Sequence, residues 1–295
     1  MTAKPLTLAI TGANGNLGRK LIAAFAPQDW CGTILAIDRA PPEPGFGTDK
    51  ARAVTGDLTD RADPAWRQAI EQADAIIHLA AQVPYPEATW VDSAASFDMT
   101  INVVAAAREG RPRRLVFATS NHVMGRYKDL PEAELAGSLR PDTPPRVGTL
   151  WDSGSGVQDS TAYATAKLMG ERLCVMESEQ GGLTAVALRI GWCQPGENHP
   201  RTITGTGTPQ QSADALDEAG QRALRWFRNM WLSNRDLVGV VQGAVLADAA
   251  GWPAPGIIVN AMSANMGAPW DLGPTEALLG YRPKDDVWQV LGGTA

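Results

Sequence analysis

Tyr163 and Lys167 stand four residues apart in Tyr-Ala-Thr-Ala-Lys, a spacing that puts both side chains on one face of a helix. Such a pair offers a tuned general base. An ammonium at ~4 Å in an effective dielectric of ~20 favours the phenolate by about 4 kcal/mol, roughly three pKa units. That brings a tyrosine from about 10 toward about 7, before desolvation takes some back, and a base near the working pH can accept an alcohol's proton. Four tyrosines and six lysines in 295 residues give roughly 0.08 such pairs by chance, so coincidence is a poor explanation.

Ser120, Asn121 and His122 follow one another at the end of the apolar run RRLVFAT. A histidine in apolar surroundings is ordinarily a satisfied core residue. Flanked by a hydroxyl and an amide at a strand end, His122 reads instead as a ligand contact. Ser120 is expected to bond the reacting oxygen, with Asn121 and His122 directed at the rest of a substrate.

The third chemical stretch is TGANGNLG, with Gly12, Asn14, Gly15, Asn16, Leu17 and Gly18 between an apolar run and a helical one. Glycines there let the chain turn tightly and bring amide N–H groups against a diphosphate at a helix N-terminus. Asp38 ends the second apolar run, where a carboxylate accepts two ribose hydroxyls and repels a 2′-phosphate, which favours NAD over NADP. Arg39 beside it softens that exclusion. Asp57 and Leu58 are expected to flank the adenine, with a plain surface turn as the competing reading.

Positioning these residues requires a sheet. Short β-like runs fall at 7–11, 32–38, 51–56, 74–80, 114–120 and 184–190. Stretches of helical periodicity lie between them, at 16–26, 64–73, 93–110 and 161–181. Nearly continuous apolar strands joined by helices imply an α/β chain with a doubly wound parallel sheet covered on both faces. The pattern changes after Ile190. A region rich in Pro, Gly, Thr and Ser (194–219) precedes helices near 218–231 and 234–250, a strand at 256–262 and a short helix near 274–280. That divides the chain into a core (1–190) carrying the catalytic residues and a small substrate-binding or lid region (191–295), partly packed back on the core. A second excursion, 130–159, reads as a loop with four prolines.

Composition narrows the function. With 26 Lys and Arg against 32 Asp and Glu, a net charge of −6 lacks the basic patch of a nucleic-acid or anionic-membrane binder. Cys31, Cys174 and Cys193 are odd in number and far apart, which fits a reducing compartment. No stretch reads as a secretory h-region, and the apolar run after Leu237 is broken by Gln242 and Asp248, so a cytoplasmic protein is expected. No metal site is expected.

Together TGANGNLG, Asp38, DLTD, HLAA (78–81), Ser120–Gly125 and YATAK resemble the extended short-chain dehydrogenase/reductase family, over about the first 190 residues. The stretches ATSNHVMG, RIGWC, MWLSNRDLVGVVQGAV and LLGYRPKDD are more specifically similar to uronate dehydrogenases. The resemblance implies a Rossmann core and NAD-dependent oxidation of a hydroxyl carbon on a sugar acid or related carboxylate. It makes Tyr163 the base, Lys167 its partner and Ser120 the hydroxyl binder. Asn121 and His122 then contact sugar hydroxyls, and Arg201 grips a carboxylate in the bidentate manner open to a guanidinium. Leu79, Ala80, Ala81 and Ile190 join Tyr163 and Lys167 around the cofactor. Val83 and Trp192 stand where serines line the sugar site in such enzymes, and the excursions 130–159 and 202–226 look longer, so the pocket is expected to be more apolar and enclosed. Rival readings are a nucleotide-sugar epimerase or dehydratase with tightly held NAD, a non-sugar alcohol dehydrogenase, and a sensor without turnover. A homodimer is expected, built from the helix before strand five and the Tyr-Lys helix.

Overall fold

The computed structural model describes residues 4–42, 48–81, 88–152, 156–203 and 216–293. Seven parallel strands form the sheet in the order β3-β2-β1-β4-β5-β8-β9, which is the doubly wound arrangement expected. They are β1 (Leu6–Thr11), β2 (Cys31–Asp38), β3 (Ala51–Thr55), β4 (Ala75–His78), β5 (Arg114–Ser120), β8 (Thr184–Ile190) and β9 (Gly256–Ala261). The helices are α1 (Asn16–Phe25), α2 (Pro64–Gln72), α3 (Trp90–Glu109), α4 (Thr161–Glu179), α5 (Glu218–Asn229), α6 (Asn234–Leu246), α7 (Gly273–Leu279) and α8 (Val287–Leu291).

Strand side chains alternate between two cores, as the pleat requires. Leu8, Ile10, Val116, Ala118, Val186 and Leu188 face α1 and α6. Ala9, Leu115, Phe117, Ala185 and Ala187 face α2, α3 and α4. A third core gathers Val123, Met124, Trp151, Trp226, Phe227, Trp231, Trp270 and Trp288 beyond the ends of β5 and β9.

Excursion 130–159 is more ordered than its sequence suggests. It contains an antiparallel hairpin, β6 (Leu150–Asp152) with β7 (Val157–Asp159), and Leu139 pairs with Trp270. The sequence did not reveal it, because each strand is only three residues long and carries no readable alternation. A 3-10 segment, Asn121–Asp129, also follows β5 where no regular structure was expected. Of the other excursion, residues 204–215 lie outside those described.

Two features hold α4 against the sheet. A Cβ at Gly170 would stand 2.5 Å from the Phe117 ring, so glycine alone permits this approach to β5. At the next residue, Glu171 and Arg189 form a bidentate ion pair, both nitrogen–oxygen distances 3.0 Å, with neither side chain exposed to solvent. Thr119 donates to the same carboxylate at 2.9 Å.

Removing one partner of a buried pair leaves an uncompensated charge. Arg189→Met is therefore expected to lower stability by about 3–5 kcal/mol, and Glu171→Leu with Arg189→Met by much less. Urea titrations check this; a single-variant loss near ~0.5 kcal/mol, the scale of a surface substitution, would contradict it.

Candidate active site

The end of β5, the first turns of α4, the segment after β8 and the loop joining β1 to α1 meet at the C-terminal edge of the sheet, where open α/β sheets bind ligands. The β5–β8 register sets Ser120 opposite Ile190, and Asn121 Nδ2 closes that edge by donating to the Ile190 carbonyl at 3.0 Å. Asn121 Oδ1 is buried without a partner among the described residues. The Ser120 hydroxyl accepts the His122 N–H at 3.2 Å and hydrogen-bonds the Tyr163 phenol.

The structure thus brings Ser120, Asn121, His122, Tyr163 and Lys167 together. Lys167 Nζ lies 5.8 Å from the Tyr163 ring centre and donates to the Ala118 carbonyl at 2.8 Å. The His122 and Tyr163 rings meet edge to face, 6.1 Å apart. Burial lowers the Lys167 pKa to about 8. The Tyr163 phenol lies above its ordinary value, because burial raises it more than the Ser120 hydrogen bond lowers it. The drop toward 7 expected from the Tyr-Lys spacing is absent from the chain by itself, because desolvation dominates.

The glycine loop fits a dinucleotide. Gly12 adopts φ +69°, where a Cβ would press on the Ala80 backbone, and a Cβ at Gly18 would collide with the Gly12 carbonyl. Helix α1 has Gly15 as its N-cap and no side-chain cap, leaving its first N–H groups for an anion. Asp38 accepts the Asn14 N–H at 2.9 Å and the Ala40 N–H at 3.2 Å, which aims its carboxylate across the loop. Asn14 Nδ2 reaches the Ala40 carbonyl, and Asn16 Nδ2 donates to Cys193 O at 2.8 Å, tying the loop to the segment after β8. Leu79 and Ala80 turn away from β4 onto the Thr11 hydroxyl, so this strand ends two residues early, and Ala81 follows. Leu17 and Ile190 pack on the first core.

Other expected positions fall less centrally. Leu58 is packed in the second core, and Asp57 is engaged by Thr59, which holds its carboxyl below the usual range; Arg39 lies near enough to add to this. Arg201 is exposed on a 3-10 turn, Pro200–Thr202. Trp192 packs edge to face on Phe227 at 5.2 Å. Val83 lies outside the described residues.

Three residues escaped the sequence reading. Thr149 and Ser160 place hydroxyls 2.7 and 3.1 Å from His122 Nδ1. Asn198 holds the segment after β8 with φ +56°, donating to the Leu232 carbonyl and accepting from Gln194 N and Trp231 Nε1. An asparagine tolerates that backbone, but nothing around Thr149 or Ser160 marks them as chemistry. Among the described residues, no three His, Cys, Asp or Glu side chains cluster as a metal site, and no helix is long and apolar enough to cross a membrane.

A family model described as the NAD dependent epimerase/dehydratase family matches residues 8–193. An L-arabinose 1-dehydrogenase (NAD(P)(+)) of Haloferax volcanii is 31% identical, covering 96% of this chain and 98% of that one. A uronate dehydrogenase of Agrobacterium fabrum is 28% identical, covering 95% and 85%. The crystal structure of uronate dehydrogenase from Agrobacterium tumefaciens superposes with a TM-score of 0.67 at 24% identity, covering 98% and 90%, so it shares the fold.

His122 and His78 are both buried, which lowers each pKa to about 3. Unfolded imidazoles titrate near 6.5, so between ~3 and ~6.5 the unfolded state binds the extra protons and stability falls as pH falls. Moving from pH 7 to pH 5 is expected to cost about 2 kcal/mol per histidine, and His122→Gln to remove one share. A urea midpoint unchanged over that range would show that these imidazoles are not held neutral.

Proposed function

The chain belongs to the NAD-dependent epimerase/dehydratase family, and we propose that it is an NAD-dependent dehydrogenase oxidising a hydroxyl carbon of a cyclic sugar, a sugar acid in the first instance. The observation that carries this reading is the Ser120 hydroxyl bonded to the Tyr163 phenol, with Lys167 on the same helix face. The named activities of the curated relatives support the sugar, since they act on arabinose and on uronates.

Oxidised NAD, when bound, supplies the hydride acceptor and a positive ring charge. Gly12, Gly15 and Gly18 would hold its diphosphate and Asp38 its ribose. Tyr163 takes the proton of the sugar hydroxyl as that carbon gives up its hydrogen with both electrons. Ser120 donates to the same oxygen and keeps it against the phenol. Lys167, mostly charged at neutral pH, favours the phenolate that burial disfavours. Asn121 and His122 contact the sugar's other oxygens. An arginine at position 201 offers a bidentate grip on a carboxylate. Trp192, packed on the buried Phe227, gives a neutral aldose a second claim, because apolar sugar faces pack on aromatic rings.

With NAD and a panel of uronates and neutral aldoses, NADH formation is expected from at least one sugar. Tyr163→Phe should lower that rate by about 10²–10⁴-fold without weakening NAD binding. Arg201→Ala should lower kcat/KM on uronates about 30- to 150-fold and leave neutral aldoses alone. A Tyr163→Phe variant keeping more than about a tenth of the rate contradicts the base; unchanged uronate kinetics in Arg201→Ala makes that arginine a solvated loop residue and contradicts its grip on a carboxylate.

We also propose a homodimer through α3 and α4, which pack side by side and leave Trp90, Val91, Met169 and Met176 exposed. Light scattering should give twice 31.3 kDa, and the monomer mass at micromolar concentration would contradict it.

A further inference from the structure

Ser160 occupies the N-cap position of α4, three residues before Tyr163, yet its side chain caps nothing. Serine at that position normally accepts a backbone N–H of the first turn. Here the hydroxyl is turned away, accepting the Thr149 N–H at 2.8 Å and standing 3.1 Å from His122 Nδ1. Thr149, fully buried at the mouth of the β6–β7 hairpin, brings a second hydroxyl within 2.7 Å of the same nitrogen. The approach is tight: a Cβ at Gly125 would collide with Thr149 Oγ1.

Because Ser160 Oγ already accepts a backbone N–H, its own proton must go to an acceptor. Nδ1 of His122 is the one at hand, and it accepts only when the ring proton sits on Nε2. In the reverse tautomer Nδ1–H would donate to one of the two hydroxyls, and the Ser160 proton would lose this acceptor. Two hydroxyls converging on one ring nitrogen thus choose the proton's place on the other.

We propose that Ser160 and Thr149 are positioning residues that hold His122 as its Nε2–H tautomer, so that the site presents a hydrogen-bond donor to an oxygen of the substrate beside Tyr163. The proposal rests on the dehydrogenase reading above for the identity of that oxygen. Excursion 130–159 then has a role in the site, since its hairpin carries Thr149 at one end and delivers the chain to Ser160 at the other. A histidine so held rewards a sugar oxygen with a lone pair to offer and penalises a donor that has none.

Nitrogen-15 spectra of histidine-labelled protein, with neither NAD nor sugar present, test the tautomer independently of turnover. The expected wild-type signal has a protonated Nε2 and an acceptor Nδ1 for His122. Ser160→Ala and the near-isosteric Thr149→Val should each admit the other tautomer, while Ser160→Thr and Thr149→Ser keep the wild-type signal. With D-glucuronate, D-galacturonate and L-arabinose as probes, the first two variants should raise KM about tenfold, the worth of one hydrogen bond, at unchanged NAD affinity. A protonated Nδ1 in the wild type, or a signal unmoved in both variants, overturns the proposal. So does a displaced tautomer with KM unaltered on every sugar the wild type oxidises. If the wild type oxidises none of them, the dehydrogenase reading fails, and the spectra still decide the tautomer.

Discussion

Helix α4 can bring Tyr163 to the end of β5 only because the two lie closer than any side chain at position 170 would allow. Close approach on one face is matched by the Glu171–Arg189 pair, which joins the helix to β8. A carboxylate and a guanidinium without solvent hold their geometry more than they add stability, since their attraction is largely offset by the cost of desolvating both. What they contribute is a fixed distance between Tyr163, Ser120 and the strand that ends in Ile190. Thr119 extends the same network to the residue before Ser120.

Burial around that contact sorts the ionisable groups by charge type. It keeps the imidazoles of His78 and His122 neutral, weakens the hold of Lys167 on its proton, and pushes the Tyr163 phenol upward. The free chain is therefore poised for a charged ligand rather than already tuned. A positive charge beside the phenol would act in the direction that burial opposes.

Much of this was legible in the residue string. Parallel strands buried on both faces read as apolar runs, so the six strands of the core and β9 after them fall within one or two residues of their expected limits. The β4 boundary differed most, because Ala80 donates to the Thr11 hydroxyl and Leu79 divides its N–H between that hydroxyl and the Thr11 carbonyl. Helix spacing placed Tyr163 beside Lys167, but spacing says nothing of depth, and depth reversed the expected direction of the phenol's pKa. Thr149 and Ser160 were invisible for another reason: a hairpin with three-residue strands has no period to read, and a hydroxyl before a helix looks like an ordinary cap.

Two readings of the cluster at the end of β5 remain to be separated: net oxidation, and epimerisation, in which the hydride would return to the sugar. Asn121 and His122 provide no carboxylate beside Ser120 to assist an elimination, and the fixed donor favours a sugar held in one orientation. The direct measurement is the fate of deuterium placed at the oxidised carbon of a substrate sugar, followed together with the amount of NADH formed. A net dehydrogenase yields one deuterated NADH for each sugar consumed. Deuterium retained in a sugar of inverted configuration, with no accumulation of NADH, would contradict the account.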